Sequence, residues 1–439
     1  MKKVTVILFV ILLAAISSCK KDSSTTGGYL PLSYQNKIVL INLQTSNDSV
    51  VLTWTKLSNK TFGNYYILRR NYKTTNPNSF SYNDVIEEIT DASVVKYTDH
   101  SIPLTSYLEY QVVGLVYDTI TGYTHIYSNI MTFIRPDLKT FTLNPKQVIP
   151  DIPDHRLYVI GADSGKISIL DYSNKTILKS INTNSTNGYS DLATYNGVKE
   201  LYVPRNDGWV FIYNAETLDK IDQISVGASC GSVLFNNNQL FIVGTASYND
   251  NLYVFDRATK VLLSTTPNLE YMRLRLVPGS TTKIFGIGSS SLYALEFDAS
   301  GNLLNVNYDY ASYSADYHSF QVFPDGQHFI TSDYGSIYTS SLSYLLQLPH
   351  GDYEYSDFTF DQNASKIIAA CRNYKCFVAY ANPGYTELKT YNTVGYPVFI
   401  FYDNNSIISL SSTIPFDYYE YNYNFLIESI PLNKQGSHQ

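Results

Sequence analysis

Arg156-Leu157-Tyr158-Val159-Ile160-Gly161 runs into Asp163-Ser164-Gly165, then Lys166-Ile167-Ser168-Ile169-Leu170-Asp171, Ser173-Asn174-Lys175 and Thr176-Ile177-Leu178-Lys179-Ser180-Ile181. Runs rich in β-branched and aromatic residues, parted by short polar turns, read as strand, turn, strand, turn, strand. The plan recurs. Second strands begin again near Leu201, Leu240, Ile284, Phe329, Ile367 and Ser406. Third strands recur as Trp209-Val210-Phe211-Ile212-Tyr213, Leu252-Tyr253-Val254-Phe255-Asp256 and Leu292-Tyr293-Ala294-Leu295-Glu296. The copies fall about 40 residues apart, the size of one four-stranded propeller blade. Seven copies fit between about 140 and 432. The expected fold class is therefore all-β, with a seven-bladed β-propeller over 140–432 and a short tail at 433–439. Two closures stay open. Thr140-Phe141-Thr142-Leu143 completes the last blade, or each blade uses four strands of its own.

A strand, an Asp/Gly turn, a strand ending in Asp and then Asn-Lys or Thr-Lys resembles the YVTN-type repeat of seven-bladed, WD40-like propellers. Ile224-Ser225-Val226-Gly227 resembles that family's inter-blade segment. The resemblance implies an architecture and no particular chemistry, because such folds host many activities.

Upstream, residues 36–136 hold short alternating strands and no helical period. Val50, Leu52 and Trp54 fall on one face of Ser49-Val50-Val51-Leu52-Thr53-Trp54-Thr55. Tyr65-Tyr66-Ile67-Leu68-Arg69-Arg70, Lys96-Tyr97-Thr98-Asp99 and Tyr110-Gln111-Val112-Val113-Gly114-Leu115 follow. About seven short strands in a hundred residues suggest a sandwich. Trp54 and Tyr110-Gln111-Val112 resemble the core tryptophan and late strand of a fibronectin type III domain. The family's corner tyrosine would fall at Leu108, a departure, with Tyr107 its nearest neighbour. The resemblance implies a spacer; no Arg-Gly-Asp argues for adhesion.

The amino terminus sets the compartment. Lys2 and Lys3 precede an apolar run from Val4 to Ile16. At about 13 residues it is too short to span a bilayer, which needs roughly 20. A positive start, a short apolar run and small residues make a secretory leader at 1–18. Ile16-Ser17-Ser18-Cys19 resembles the lipobox of bacterial lipoproteins, which implies lipidation of Cys19. The other reading is an ordinary leader with an incidental cysteine. Residues 19–35, Gly/Ser/Thr-rich after the cysteine, read as a flexible tether. Lys20-Lys21-Asp22 resembles in part the export tag of surface lipoproteins of the Bacteroidetes. Together these imply an outer-membrane, lipid-anchored protein, displayed at the cell surface or facing the periplasm.

A net charge of −7 argues against a nucleic-acid partner. Tyrosine, at 41 positions, is chiefly strand surface. Cys371 and Cys376 flank Arg372-Asn373-Tyr374-Lys375. If that turn joins paired strands the thiols face each other, and an exported compartment permits a disulfide. Otherwise they are two small buried side chains. Cys230 is a core filler.

Aligning the innermost strands brings Tyr189, Tyr271, Tyr317, Tyr355 and Tyr396 to equivalent places. Two residues on, Gln147, Asp191, Ser232, Arg273, Ser319, Asp357 and Val398 form a ring about the central tunnel. With His318, these tyrosines, Asp191, Arg273 and Asp357 are the candidate ligand site, suited to sugars or peptides. In the competing reading the tyrosines pack between blades, the aspartates cap neighbouring turns, and Arg273 is an internal ion pair. Catalysis lacks support. Asp191 and Asp357 face each other across the tunnel, and His318 beside Ser319 points to the opposite face. His155, His328 and His350 are scattered, so no metal is expected, and no phosphate or dinucleotide loop calls for a cofactor. The aromatic run Phe416-Asp417-Tyr418-Tyr419-Glu420-Tyr421-Asn422-Tyr423 is read as an outer strand or a contact edge. The expected function is a binding or scaffold module for a glycan, peptide or envelope protein. The alternative is a polysaccharide-active or lactonase-like hydrolase or lyase at the tunnel mouth.

Overall fold

The computed structural model describes residues 37–432, except 46–48, 59–60, 119–121, 136–137, 163–164, 246–249, 289–290, 312–315, 317, 319, 332–333 and 418–422. The leader, Cys19, the tether, the tail, Tyr317 and Ser319 lie outside the described residues. These residues are all-β apart from one short 3-10 turn, and they divide into two compact units. One holds 37–101 and 108–133; the other holds 102–107 and 134–432.

In the smaller unit the strands are β1 (Leu40–Thr45), β2 (Val50–Trp54), β3 (Phe62–Arg70), β4 (Val85–Ile89), β5 (Lys96–Asp99), β6 (Tyr107–Asp118), β7 (Gly122–Tyr127) and β8 (Met131–Ile134). They form a sheet in the order β1-β2-β5 and another in the order β4-β3-β6-β7, with β8 also on β6. The alternation of Val50, Leu52 and Trp54 is realised: all three are buried and the residues between them are not. Trp54 meets Tyr65 edge-on at 5.5 Å between ring centroids. Leu108 is packed in the core, and Tyr110, two residues on, donates its hydroxyl to Asp99 at 2.8 Å.

The larger unit is seven antiparallel four-stranded sheets in chain order. Their first strands are Pro145–Asp151, Asp191–Tyr195, Cys230–Asn236, Arg273–Leu276, Phe320–Val322, Tyr355–Phe360 and Tyr396–Asp403. Second strands such as Arg156–Gly161 and Gln239–Gly244 are almost wholly buried, which is why they read as unbroken apolar runs. Fourth strands such as Thr176–Asn182 and Leu303–Tyr310 are largely exposed.

The hairpin from third to fourth strand repeats with one chemistry. Asp171 accepts from the backbone N–H of Ser173 and Asn174, Asn214 from Glu216 and Thr217, and Asp298 from Ser300 and Asn302. The turn then needs a left-handed residue: Lys175 (φ 52), Leu218 (φ 52), Lys260 (φ 60) or Gly301 (φ 83). A register shift follows in each of sheets one to six, from Ile169/Leu170 to Ala379/Tyr380.

The seventh sheet differs. Its fourth strand is β9 (Phe141–Leu143), which precedes sheet one in sequence and pairs with Tyr423–Pro431. Of the two closures, the chain uses the first. Each sheet shares an apolar core with the next: Ile160 and Ile169 with Leu201 and Val203, for example, or Phe285 and Ile287 with Phe320 and Phe329. The seventh packs on the first through Phe399, Phe401 and Leu410 against Val148, Leu157 and Val159. Tyr172 of sheet one donates to Asp403 of sheet seven at 2.9 Å. This repetition of packed four-stranded sheets is compatible with a β-propeller.

Candidate functional site

The polar residues picked out on the first strands have a common occupation: they tie one first strand to the next. Gln147 spans to Ser190, accepting from its N–H at 2.7 Å and donating to its carbonyl at 3.0 Å. Asp191 accepts from Phe235 N–H at 2.8 Å, Ser232 from Leu274 N–H at 3.2 Å, and Asp357 from Ile400 N–H at 3.0 Å. Arg273 donates to the carbonyl of His318. Val398 takes its turn as a buried apolar contact. Each first strand is the edge of its sheet, so backbone groups on its unpaired side still need partners, and these side chains satisfy them.

The tyrosines separate by environment. Tyr189 is buried, with the Arg273 guanidinium 4.5 Å from its ring centroid and Lys146 Nζ at 5.1 Å. Tyr355 is buried in the core of sheets five and six, its hydroxyl shared with Tyr380 and the Pro349 carbonyl. The ring of Tyr271 lies so close to Gly231 that a Cβ there would fall 2.3 Å from it. Tyr396 is half-buried beneath Lys375. Tyr189 and Tyr355 thus pack between sheets, as the competing reading has it.

Arg273, His318 and Asp357 do converge. They line a cavity of about 420 Å³ enclosed by first strands of sheets one, four, five, six and seven. Arg275 and Gln321 join them, and Val148, Phe360 and Phe401 are among the apolar walls. Neither Arg275 nor Gln321 was picked out from sequence. Both sit two residues beyond a position of the ring, where strand alternation returns the side chain to the same face. His318 shares Nδ1 with Asp316 at 2.5 Å. A larger cavity, about 470 Å³, lies between sheets four and five around Val277-Pro278 and Asp325-Gly326 and holds none of the residues picked out.

Two ionisable groups, Arg275 in this cavity and Asp191 outside its lining, are strongly shifted. Asp191 keeps some contact with solvent but is enclosed by protein, and this burial pushes its carboxyl up to about 6. The Phe235 N–H and Arg275 hold it from rising further. Arg275 is pulled down to about 9, first by burial and then by the like charge of Arg273. It makes no hydrogen bond to any described residue, and its Nε is buried without a partner.

Cys371 and Cys376 are register partners across their turn, and both are free thiols in the structure. The hydrogen bond between them, then burial, pushes Cys371 up, and the same hydrogen bond pulls Cys376 down against the opposing effect of burial. Cys230 is buried and pushed up to about 12 by burial, an unreactive thiol that donates to the Ala228 carbonyl. Phe416 and Tyr423 are buried against each other, while the tyrosines between them fall outside the described residues. Among the described residues no group of His, Cys, Asp and Glu is arranged to hold a metal ion, and no helix is long and apolar enough to cross a membrane. No protein-family model matches the chain, and no curated protein does.

Proposed function

We propose that this chain is an envelope lipoprotein whose fibronectin type III-like sandwich carries a closed seven-bladed β-propeller, and that the propeller is a binding module. The propeller reading rests on seven sheets that each share a core with the next, the seventh with the first. The sandwich reading rests on the strand order β1-β2-β5 and β4-β3-β6-β7. The lipoprotein reading rests on the amino-terminal sequence: Lys2 and Lys3, the apolar run from Val4 to Ile16, Ile16-Ser17-Ser18-Cys19 and Lys20-Lys21-Asp22.

The observation that carries the function is the central cavity, where Arg273, Arg275, His318, Gln321 and Asp357 meet apolar walls. A concave opening with a few convergent polar groups is where a ligand is held. The ligand is a glycan, a peptide or a segment of an envelope protein. The enzymatic reading draws on Asp191, whose raised carboxyl suits a general acid. That carboxyl is spent on Phe235 N–H, which favours binding over turnover. The test is a glycan and peptide array probed with the chain lacking residues 1–18. Binding that disappears with Asp357→Ala supports the reading. Turnover of a polysaccharide or lactone, lost with Asp191→Asn, would replace it.

A further inference from the structure

The geometry points to a narrower role for that cavity: Arg275, aided by Arg273, receives the carboxylate of a small organic ligand. The inference rests on the reading of the cavity as a binding site.

Arg273 and Arg275 stand two apart on the strand Arg273–Leu276, so both guanidiniums face the cavity. Their commitments differ. Arg273 is fixed by the His318 carbonyl and the face of Tyr189. Arg275 has no hydrogen-bond partner among the described residues, and its Nε is sealed from water. The carboxylates in reach are occupied. Asp191 serves Phe235 N–H, and Asp357 serves Ile400 N–H, Phe358 N–H and Gln321. A guanidinium carries five donors in a planar fork; here the Nε–H is buried without an acceptor, which is costly, while the side chain as a whole is half-buried. A fork of that shape matches the two oxygens of a carboxylate. The cavity, about 420 Å³, is far larger than an anion needs, and its walls include Val148, Phe360 and Phe401. That space calls for an organic body attached to the anionic group, which distinguishes the ligand from free phosphate or sulfate.

The test is calorimetric and thermal-shift titration of the folded chain with D-glucuronate and N-acetylglycine. Glucose and N-acetylglycinamide serve as uncharged controls, and phosphate and sulfate are added at matched ionic strength. The carboxylates are expected to bind saturably and raise the melting temperature, and the uncharged pair are not. Arg275→Gln is expected to weaken carboxylate binding about 10- to 100-fold, with Arg275→Lys between. Arg275→Gln removes a charge that burial and the neighbouring Arg273 disfavour and that holds no hydrogen bond to any described residue, so it is expected to melt no lower than the parent, which separates lost binding from lost folding. Asp325→Asn, in the cavity between sheets four and five, is expected to change nothing. Equal shifts from charged and uncharged compounds would overturn the inference, as would equal shifts from phosphate, or binding indifferent to Arg275→Gln. Array binding that survives Arg275→Gln but not Asp357→Ala would overturn this inference and leave the broader binding reading intact. Carboxylate binding lost with Arg275→Gln would uphold the inference even if no array ligand were found.

Discussion

At the scale of the residue, Asp191 shows how one side chain can serve the fold and cost it stability together. Its carboxylate oxygen accepts from Phe235 N–H, while enclosure pushes its pKa up to about 6, above an ordinary aspartate. The native state therefore holds this proton more tightly than the unfolded chain does. Stability from this group is present below about pH 4 and falls as pH rises through about 6, by about 3 kcal/mol in all. Asparagine keeps the acceptor and removes the charge. Asp191→Asn is thus expected to match the parent near pH 4 and to exceed it at pH 7, read by thermal melts at both pH values. A variant less stable than the parent at pH 7 would show that the Asp191–Arg275 attraction outweighs the burial. Strand period and repeat spacing align Asp191 with Asp357, and each accepts from an N–H of the following first strand. What those side chains reach was not legible. An aspartate facing a tunnel and one bonded to the adjacent strand's N–H have the same periodicity, and only the offset between neighbouring strands separates them. Arg275 lies one alternation further along its strand than the ring, so a single level of equivalent positions does not contain it.

Among the elements, the contact between sheets two and three holds a buried charge cluster that no motif announced. Arg257 makes a bidentate pair with Glu200 at 2.8 and 2.9 Å and reaches Asp222 at 2.8 Å. Tyr202 donates to the same Glu200 at 2.6 Å, and the Tyr195 ring lies under the guanidinium. Removing one member of a buried pair strands the other. Arg257→Ala is expected to cost about 3–5 kcal/mol in denaturant unfolding, whereas Lys179→Ala, breaking the exposed pair with Asp219, is expected to cost under about 1 kcal/mol. The residues of this cluster come from three separated stretches, so local pattern had no means of joining them. The hairpin of Cys371 and Cys376 is the opposite case. A four-residue turn between two apolar runs made the pairing legible, and the register bears it out. In an oxidising compartment the two thiols are expected to resist alkylation until reduced, by mass spectrometry. Closing so short a loop adds about 2 kcal/mol. Alkylation of both cysteines in unreduced, unfolded protein taken from an oxidising compartment would refute the bond.

For the whole larger unit, the decisive contact is between chain segments far apart in sequence. Six sheets complete themselves with a bulged hairpin, and the seventh borrows β9, whose Thr142 meets Asn424 across 282 residues. The repeat predicted seven sheets because each copy carries its own turns. It left the closure open because a three-residue strand has no local partner to reveal it. Phe141 and Leu143 are buried in the core common to sheets one and seven. Without β9 the strand Tyr423–Pro431 has an open edge, and Phe416 and Phe425 lose their cover. Two truncations test the consequence. A chain starting at 138 keeps β9 and is expected to melt in one transition at the temperature the larger unit shows in the parent. A chain starting at 145 lacks it, loses burial worth several kcal/mol, and is expected to melt earlier and more broadly, bind a hydrophobic dye, and self-associate through the exposed edge. Phe141→Asp in the full chain is expected to move in the same direction, since it keeps the backbone pairing but places a charge in the common core. If the chain starting at 145 melts as sharply and as high as the one starting at 138, the borrowed strand is not what fastens sheet seven to sheet one, and the shared apolar core suffices by itself.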